Sequence, residues 1–229
     1  MILFLAAVMA AATPQSSVCP DVVTADALVC RALSAQKAGD PQSAAQAFEE
    51  AAKASPDKDP ATSKLWAAAG NMWLVGAQPG KAAFALDRAL ATPGLEAAQR
   101  GEALLDRARA AEAQGDFKTA RTKLTEAAPS ISDDPFYWYF SAALAIREKD
   151  GTGAQTAIGK ALTLAPSDPT ILFEAGHVAD FLGDDEKARN YWGRAAALDP
   201  HGPVGKAAAK AQELLGVTPV VKSGPQPPK

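Results

Sequence analysis

The chain has 229 residues, 48% of them apolar and only 7% aromatic, with 17 Gly and 17 Pro. That length allows one or two domains with a sizeable core. With 23 basic against 26 acidic residues the formal net charge is -3, so there is no broad basic field and a nucleic-acid partner is disfavoured.

The first segment, "MILFLAAVMAAA", carries an uncharged apolar run from Ile2 to Ala12. A helix needs roughly 20 residues to span a bilayer, so the run is too short to cross. It closes on Ala10-Ala11-Ala12, a small-x-small pattern suited to cleavage just before Thr13. Residues 1–12 are therefore expected to be a signal peptide, although no Lys or Arg precedes the run and a retained anchor is the competing reading. The "QSSV" ahead of Cys19 does not resemble a lipoprotein box, and no later segment is apolar enough to cross a membrane. The expected destination is the periplasm of a Gram-negative bacterium, or the exterior, after cleavage near Ala12/Thr13. Residues 13–24 would form an extended leader.

The two cysteines, Cys19 and Cys30, lie near the expected mature N-terminus. In an oxidising compartment a bond between them would tie the leader to the first helix, worth up to about 3 kcal/mol in the chain-entropy model. The alternative is two unrelated thiols. A redox-active pair is disfavoured because the spacing is not C-x-x-C.

Downstream the chain repeats. A column of small residues reads Ala44, Ala82, Ala120, Ala154, Ala188. Four positions on is a large apolar column, Phe48, Leu86, Leu124, Ile158, Trp192, and three further come Ala51, Ala89, Ala127, Ala161, Ala195. All three columns are spaced 38, 38, 34 and 34. Each unit splits into two helical halves. In the last, Ile171, Leu172, Ala175, Val178, Ala179 and Leu182 recur at helical spacing. Gly183-Asp184 breaks that helix, and a second runs from about Asp185 to Leu198 and stops before Asp199-Pro200. Small residues let two helix backbones approach, and the bulky residue of the partner fills the space beside them.

A helix–turn–helix unit of this length resembles the tetratricopeptide repeat. Trp66, Gly70 and Trp73 resemble its first-helix Trp, Gly and Tyr; Leu172, Gly176, Gly183, Ala188, Trp192, Ala195 and Pro200 fall in matching places of the last unit. Trp138, Ala142, Ala154, Ile158, Ala161 and Pro166 match in the unit before it, and Gly39, Ala44, Phe48, Ala51 and Pro56 in the first, where Leu28 and Ala32 replace the Trp and Gly. The third unit is the loosest, with Leu104, Ala108, Gly115, Ala120, Leu124 and Ala127 but no closing proline. The resemblance implies an all-α, right-handed α-solenoid of about five helix-turn-helix units spanning 25–202, near 25–58, 63–96, 101–134, 135–168 and 169–202. The first two units carry four extra residues in their connections, and "EKDGTGAQ" at 148–155 is expected to make a looser, irregular turn.

Repeat arrays need a cap with a polar outer side. "VGKAAAKAQELL" supplies one at 203–216, with Lys206, Lys210, Gln212 and Glu213 outward, Ala207, Ala211, Leu214 and Leu215 inward, and Gly216 closing it. The Pro-rich end at 217–229 is expected to be a disordered tail.

No catalytic or metal motif stands out: there is no H-E-x-x-H, G-x-S-x-G, Walker loop or C-x2-C, and His177 and His201 are the only histidines. Zinc needs several converging ligands, so no metal and no cofactor is expected. The acidic "DDE" at 184–186 reads as a helix cap rather than an acid–base pair. The chain is read as non-catalytic, with repeats, cap and tail filling its length.

In the family it resembles, first helices line a concave groove that takes a peptide or an extended partner segment. Carried over, the groove candidates are Asn71, Arg109, Phe136, Tyr139, Arg147, Phe173, His177 and Phe181, with Lys64, Leu74, Val75, Glu102, Leu105, Glu112, Ala143, Ile146, Thr170 and Asp180 beside them. The groove is expected to turn aromatic and apolar toward the C-terminal end; aromatics and Arg dominate interface energies. Asn71 and Arg109 alone fit a carboxylate clamp. The implied function is a periplasmic scaffold for a protein or peptide segment in envelope assembly, secretion or export. A small-molecule or lipid-chain binder, or a regulatory subunit of an enzyme, is the alternative.

Overall fold

The computed structural model describes residues 19–56 and 59–215. The expected signal segment, its cleavage point, the start of the leader, Gly216 and the Pro-rich tail all lie outside the described residues. Among the described residues there are eleven helices and no strand: α1 (Ala25–Lys37), α2 (Pro41–Ala54), α3 (Pro60–Val75), α4 (Pro79–Ala91), α5 (Ala97–Ala113), α6 (Phe117–Ile131), α7 (Pro135–Arg147), α8 (Gly151–Leu164), α9 (Pro169–Phe181), α10 (Asp185–Leu198) and α11 (Pro203–Leu215).

Local chemistry marks where each helix begins. Asp40, Asp116, Asp150 and Asp184 each accept from the backbone N–H three residues on, and Asp59, Asp134 and Asp168 from the N–H two residues on. Such a cap satisfies an otherwise orphaned amide and contributes ~1 kcal/mol. Proline opens α2, α3, α4, α7, α9 and α11, where its missing N–H costs nothing. The acidic run at 184–186 is absorbed here: Asp184 caps α10 through the Lys187 amide at 3.1 Å, and Asp185 and Glu186 occupy the first turn.

The two helices of each pair are joined by one recurring turn. A residue with positive φ stands at Gly39, Ala77, Gly115, Lys149 and Gly183. The residue after it donates its amide five residues back, as in Asp40 to Ala35, Gln78 to Trp73 and Asp150 to Ala145. The turn at 148–150 is therefore not irregular, as the sequence led one to expect. Lys149 holds a φ of 63° where three other turns place Gly, and the two glycines that suggested looseness, Gly151 and Gly153, lie inside α8.

Helices pack as consecutive pairs, α1 with α2 through α9 with α10, and each pair packs on the next. The first helices also touch one another, α3 with α5, α5 with α7 and α7 with α9, and so form one layer of an α-solenoid. The small columns are the seam: Ala44, Ala82, Ala120, Ala154, Ala188 and their partners at Ala51, Ala89, Ala127, Ala161 and Ala195 are all fully buried. Across the seam stands a third small column, Ala32, Gly70, Ala108, Ala142 and Gly176, also buried. A methyl added to Gly70 would run into Leu86, and one added to Gly176 into Trp192, so the bulky residue of each second helix rests on the small residue of the first.

At the N-terminal end Cys19 and Cys30 are joined by a disulfide, and Arg31 donates to the carbonyls of Pro20 and Val22 at 2.8 Å each, holding residues 19–22 against α1. At the other end α11 packs on α10 and α9. Its buried face is Gly205 and Ala208, flanked by half-buried Ala207, Ala211 and Leu215. Leu214, expected inward, is 56% exposed, one residue off the 204–208–211–215 stripe that meets α10. Gln212, expected outward, turns in and donates to the Arg189 carbonyl at 3.0 Å. Among the described residues no helix is long and apolar enough to cross a membrane.

Candidate binding groove

The layer of first helices presents two hollows. The N-terminal one is lined by Lys64, Asn71, Gln99, Glu102 and Asp106, with Phe48 and Leu95 among its apolar walls. Asn71 donates to Asp106 Oδ2 at 2.7 Å, and the other carboxylate oxygen accepts from Arg109 at 2.8 Å. The Asn71 amide is thus engaged in joining α3 to α5, and the residue shares this hollow with Lys64 and Glu102, apart from the predicted groove residues of α7 and α9.

The second hollow lies toward the C-terminal end, on α3, α5, α7 and α9. Helical spacing assembles it. Tyr139, Ala143, Ile146 and Arg147 form one stripe of α7; Glu174, His177, Asp180 and Phe181 form the facing stripe of α9; Arg109 and Glu112 come from α5, and Leu74 from the end of α3. Five of the eight predicted groove residues, Arg109, Tyr139, Arg147, His177 and Phe181, meet here. Phe136 does not: it stands at the first turn of α7, 44% exposed, with its ring edge-on to Tyr139 at 6.2 Å. Phe173 does not either. It packs into the α9–α10–α11 core and edge-on to His177 at 4.5 Å. Val75 and Thr170 also fall outside this lining, and Leu105 is part of the core.

The hollow is mixed in character: Phe136 and Phe173 stand outside it, Phe140 and Phe181 keep it partly aromatic, and Glu174 joins the expected Glu112 and Asp180 as a third carboxylate. Arg147 Nε stands 3.3 Å from Glu112 Oε1, bridging α7 and α5. Burial pushes the Tyr139 hydroxyl above its ordinary pKa, and the Glu174 charge adds to that. Burial lowers the His177 pKa, opposed by Asp180. The His177 ring lies between Phe173 and Trp192, the latter at 5.4 Å.

Sequence reasoning missed three lining residues, Ala113, Phe140 and Glu174, and Glu174 is the one that carries charge. It is 8% exposed, lines the hollow, and no described side chain hydrogen-bonds or ion-pairs with its carboxylate. Desolvation raises its pKa to about 7, with Arg147 pulling the other way from a distance. Its signal was its register: three residues before His177 and seven before Phe181, it shares their stripe; Phe173, four residues before His177, fits that stripe by spacing too but packs against the α9–α10–α11 core.

No protein-family model matches the sequence, and no curated protein matches it either. Solved structures do. PilW, a widely conserved type IV pilus biogenesis factor, superposes with a TM-score of 0.66 at 19% identity, over 80% of this chain and 81% of PilW. YrrB, a tetratricopeptide protein with an unusual peptide-binding site, gives 0.56 at 17% identity over 81% of this chain and 92% of YrrB. The chain has the tetratricopeptide fold. MamA superposes on the same tetratricopeptide array at 0.59 and 16% identity, over 77% of this chain and 92% of MamA.

Proposed function

We propose that the chain is a non-catalytic, exported scaffold that holds a protein or peptide segment in the hollow between α5, α7 and α9. The observation that carries this is the hollow itself: an open trough on the shared face of the first helices, where Tyr139 and Phe181 offer apolar contact beside charged groups. YrrB, of the same fold, is described by its peptide-binding site, and PilW by a role in assembling pili. Those descriptions support a part in envelope assembly, secretion or export. The Cys19–Cys30 bond and the apolar Ile2–Ala12 run support an oxidising compartment outside the cytoplasm.

A lipid chain fits this trough less well, because Arg109, Glu112, Arg147 and Glu174 would lose water against it without gaining partners. If an enzyme is involved, its chemistry belongs to the partner and the isolated chain is inactive.

The test expresses the full chain with its own leader in a Gram-negative host. Fractionation should place it in the periplasm or medium; retention in the cytoplasm overturns export. Partners captured from envelope extract should be lost from a Tyr139→Ala/Phe181→Ala variant. Recovery of the same partners at unchanged yield overturns the groove.

A further inference from the structure

We propose that Glu174 is the receptor for a basic side chain: the segment bound in the groove places a Lys or Arg between α7 and α9, its cation against the Glu174 carboxylate and its apolar neighbours on Tyr139 and Phe181. The inference rests on the reading of the groove as a peptide site and names the chemistry of what fills it.

The groove's own cations are already engaged. Arg147 is held by Glu112, and Arg109 by Asp106. Glu174 has no such partner, although it is 8% exposed and faces the trough. A carboxylate largely withdrawn from water, reaching solvent only through the trough and lacking a hydrogen-bond partner, is costly, which is why buried acids are nearly always hydrogen-bonded or paired. Tyr139 and Ala143 of α7 give the same lining apolar surface, with Glu174 as its most buried carboxylate and with Glu112 and Asp180 also facing the hollow. An incoming carboxylate would be repelled there, and an aliphatic side chain would leave the acid unmet. A cation on a long apolar stem satisfies both the apolar surface and the acid of this slot. This polarity is the reverse of a clamp for C-terminal carboxylates.

The charge state of the slot makes the pairing sensitive to pH. Because Glu174 titrates at about 7 when the groove is empty, protons compete with the cation below neutrality. The other groups facing it are Arg109 and Glu112 on α5, Tyr139 and Arg147 on α7, and His177 and Asp180 on α9 itself. α8, α10 and α11 pack on other faces of α9 and contribute no lining residue. Burial favours neutral His177 and neutral Tyr139, so Glu174 is the group expected to dominate between about pH 6 and pH 8.

The experiment selects short random-sequence peptides displayed on phage against the full chain at about pH 8, then measures the synthesised winners by fluorescence anisotropy. Peptides whose binding is lost with Tyr139→Ala should share a Lys or Arg. Replacing that residue by norleucine, or Glu174 by Gln, should each weaken binding about tenfold, and the two changes together should cost little more than one. Affinity for the wild type should fall about tenfold from pH 8 to pH 6 and stay flat for Glu174→Gln. Groove-dependent peptides with no shared basic residue, or binding indifferent to Glu174→Gln, would overturn this inference and leave the peptide site standing. Failure to recover any peptide sensitive to Tyr139→Ala or Phe181→Ala would overturn both.

Discussion

Gly176 of α9 lies against the indole of Trp192 on α10, and that indole donates through Nε1 to the Phe173 carbonyl at 3.0 Å. The contact joins the helix that carries Glu174, His177 and Phe181 to the helix behind it. Gly176→Ala gains up to about 1 kcal/mol of helix propensity but drives a methyl deep into the ring, at the upper end of the overpacking cost, about 2–3 kcal/mol. The net expectation is a loss of about 1–2 kcal/mol in urea unfolding. An unchanged or raised midpoint would show that the ring has room to move.

Ala77 and Lys149 hold φ values of 55° and 63° at turn positions where three other units place glycine. Left-handed backbone costs a non-glycine residue roughly 1–2 kcal/mol. Ala77→Gly and Lys149→Gly are each expected to stabilise the chain by about 1 kcal/mol, read as a raised denaturation midpoint. Destabilisation by either change would mean that its side chain does more at the turn than the backbone argument allows.

The Cys19–Cys30 bond closes a loop at the start of the array, with a sequence separation of 11. Its reduction is expected to cost about 2–3 kcal/mol. The effect should be local: amides of α1 lose protection from hydrogen exchange, while those of α9 and α10 keep theirs. Uniform loss of protection would contradict that picture.

Glu174 also makes folding depend on pH. Its folded pKa of about 7 stands above the ordinary value of 4.5, so the folded chain holds this proton more tightly than the unfolded chain. Stability from this group is therefore fully present below about pH 4.5 and falls as pH rises to about 7, by about 3 kcal/mol. Glu174→Gln should remove the fall, leaving the variant more stable than wild type at pH 8 and about equal near pH 4. Calorimetry at both pH values checks it, and parallel profiles for the two proteins would refute the assignment.

Asn71 divides a structural role from a binding one. Its hydrogen bond to Asp106 crosses from α3 to α5 at 2.7 Å. Asn71→Ala is expected to cost about 1–2 kcal/mol of stability while leaving affinity for a partner in the C-terminal hollow unchanged. Weakened affinity without a stability change would return Asn71 to the binding surface.

The sequence was most informative where packing imposes a rule that repeats. The alanines at 44, 82, 120, 154 and 188 could be read as a seam because any larger residue there would force the helices apart, and all of them are buried. The start of α10 was legible too, since Asp184 caps it through an amide three residues on. What could not be read was the direction of side chains at the edge of a stripe. Phe173 and Glu174 are adjacent, four and three residues before His177, so helical spacing admits both to the groove face. Hydrophobic character favoured the phenylalanine for the groove; the core behind α9 claimed it instead. The tie between Asn71 and Asp106 was equally hidden, because it spans 35 positions between different units. The turn at 148–150 was hidden as well, because Lys149 holds the left-handed backbone there while Gly151 and Gly153 lie in the helix beyond.

The substantial contacts in this chain join helices one or two places apart. A linear stack of that kind has no central keystone, and its ends can peel away while the remainder stays wound. The slot around Glu174 draws on α5, α7 and α9, with α10 and α11 behind it, and owes little to the disulfide-bound end. Unwinding of the first hairpin should therefore leave the slot near the other terminus formed.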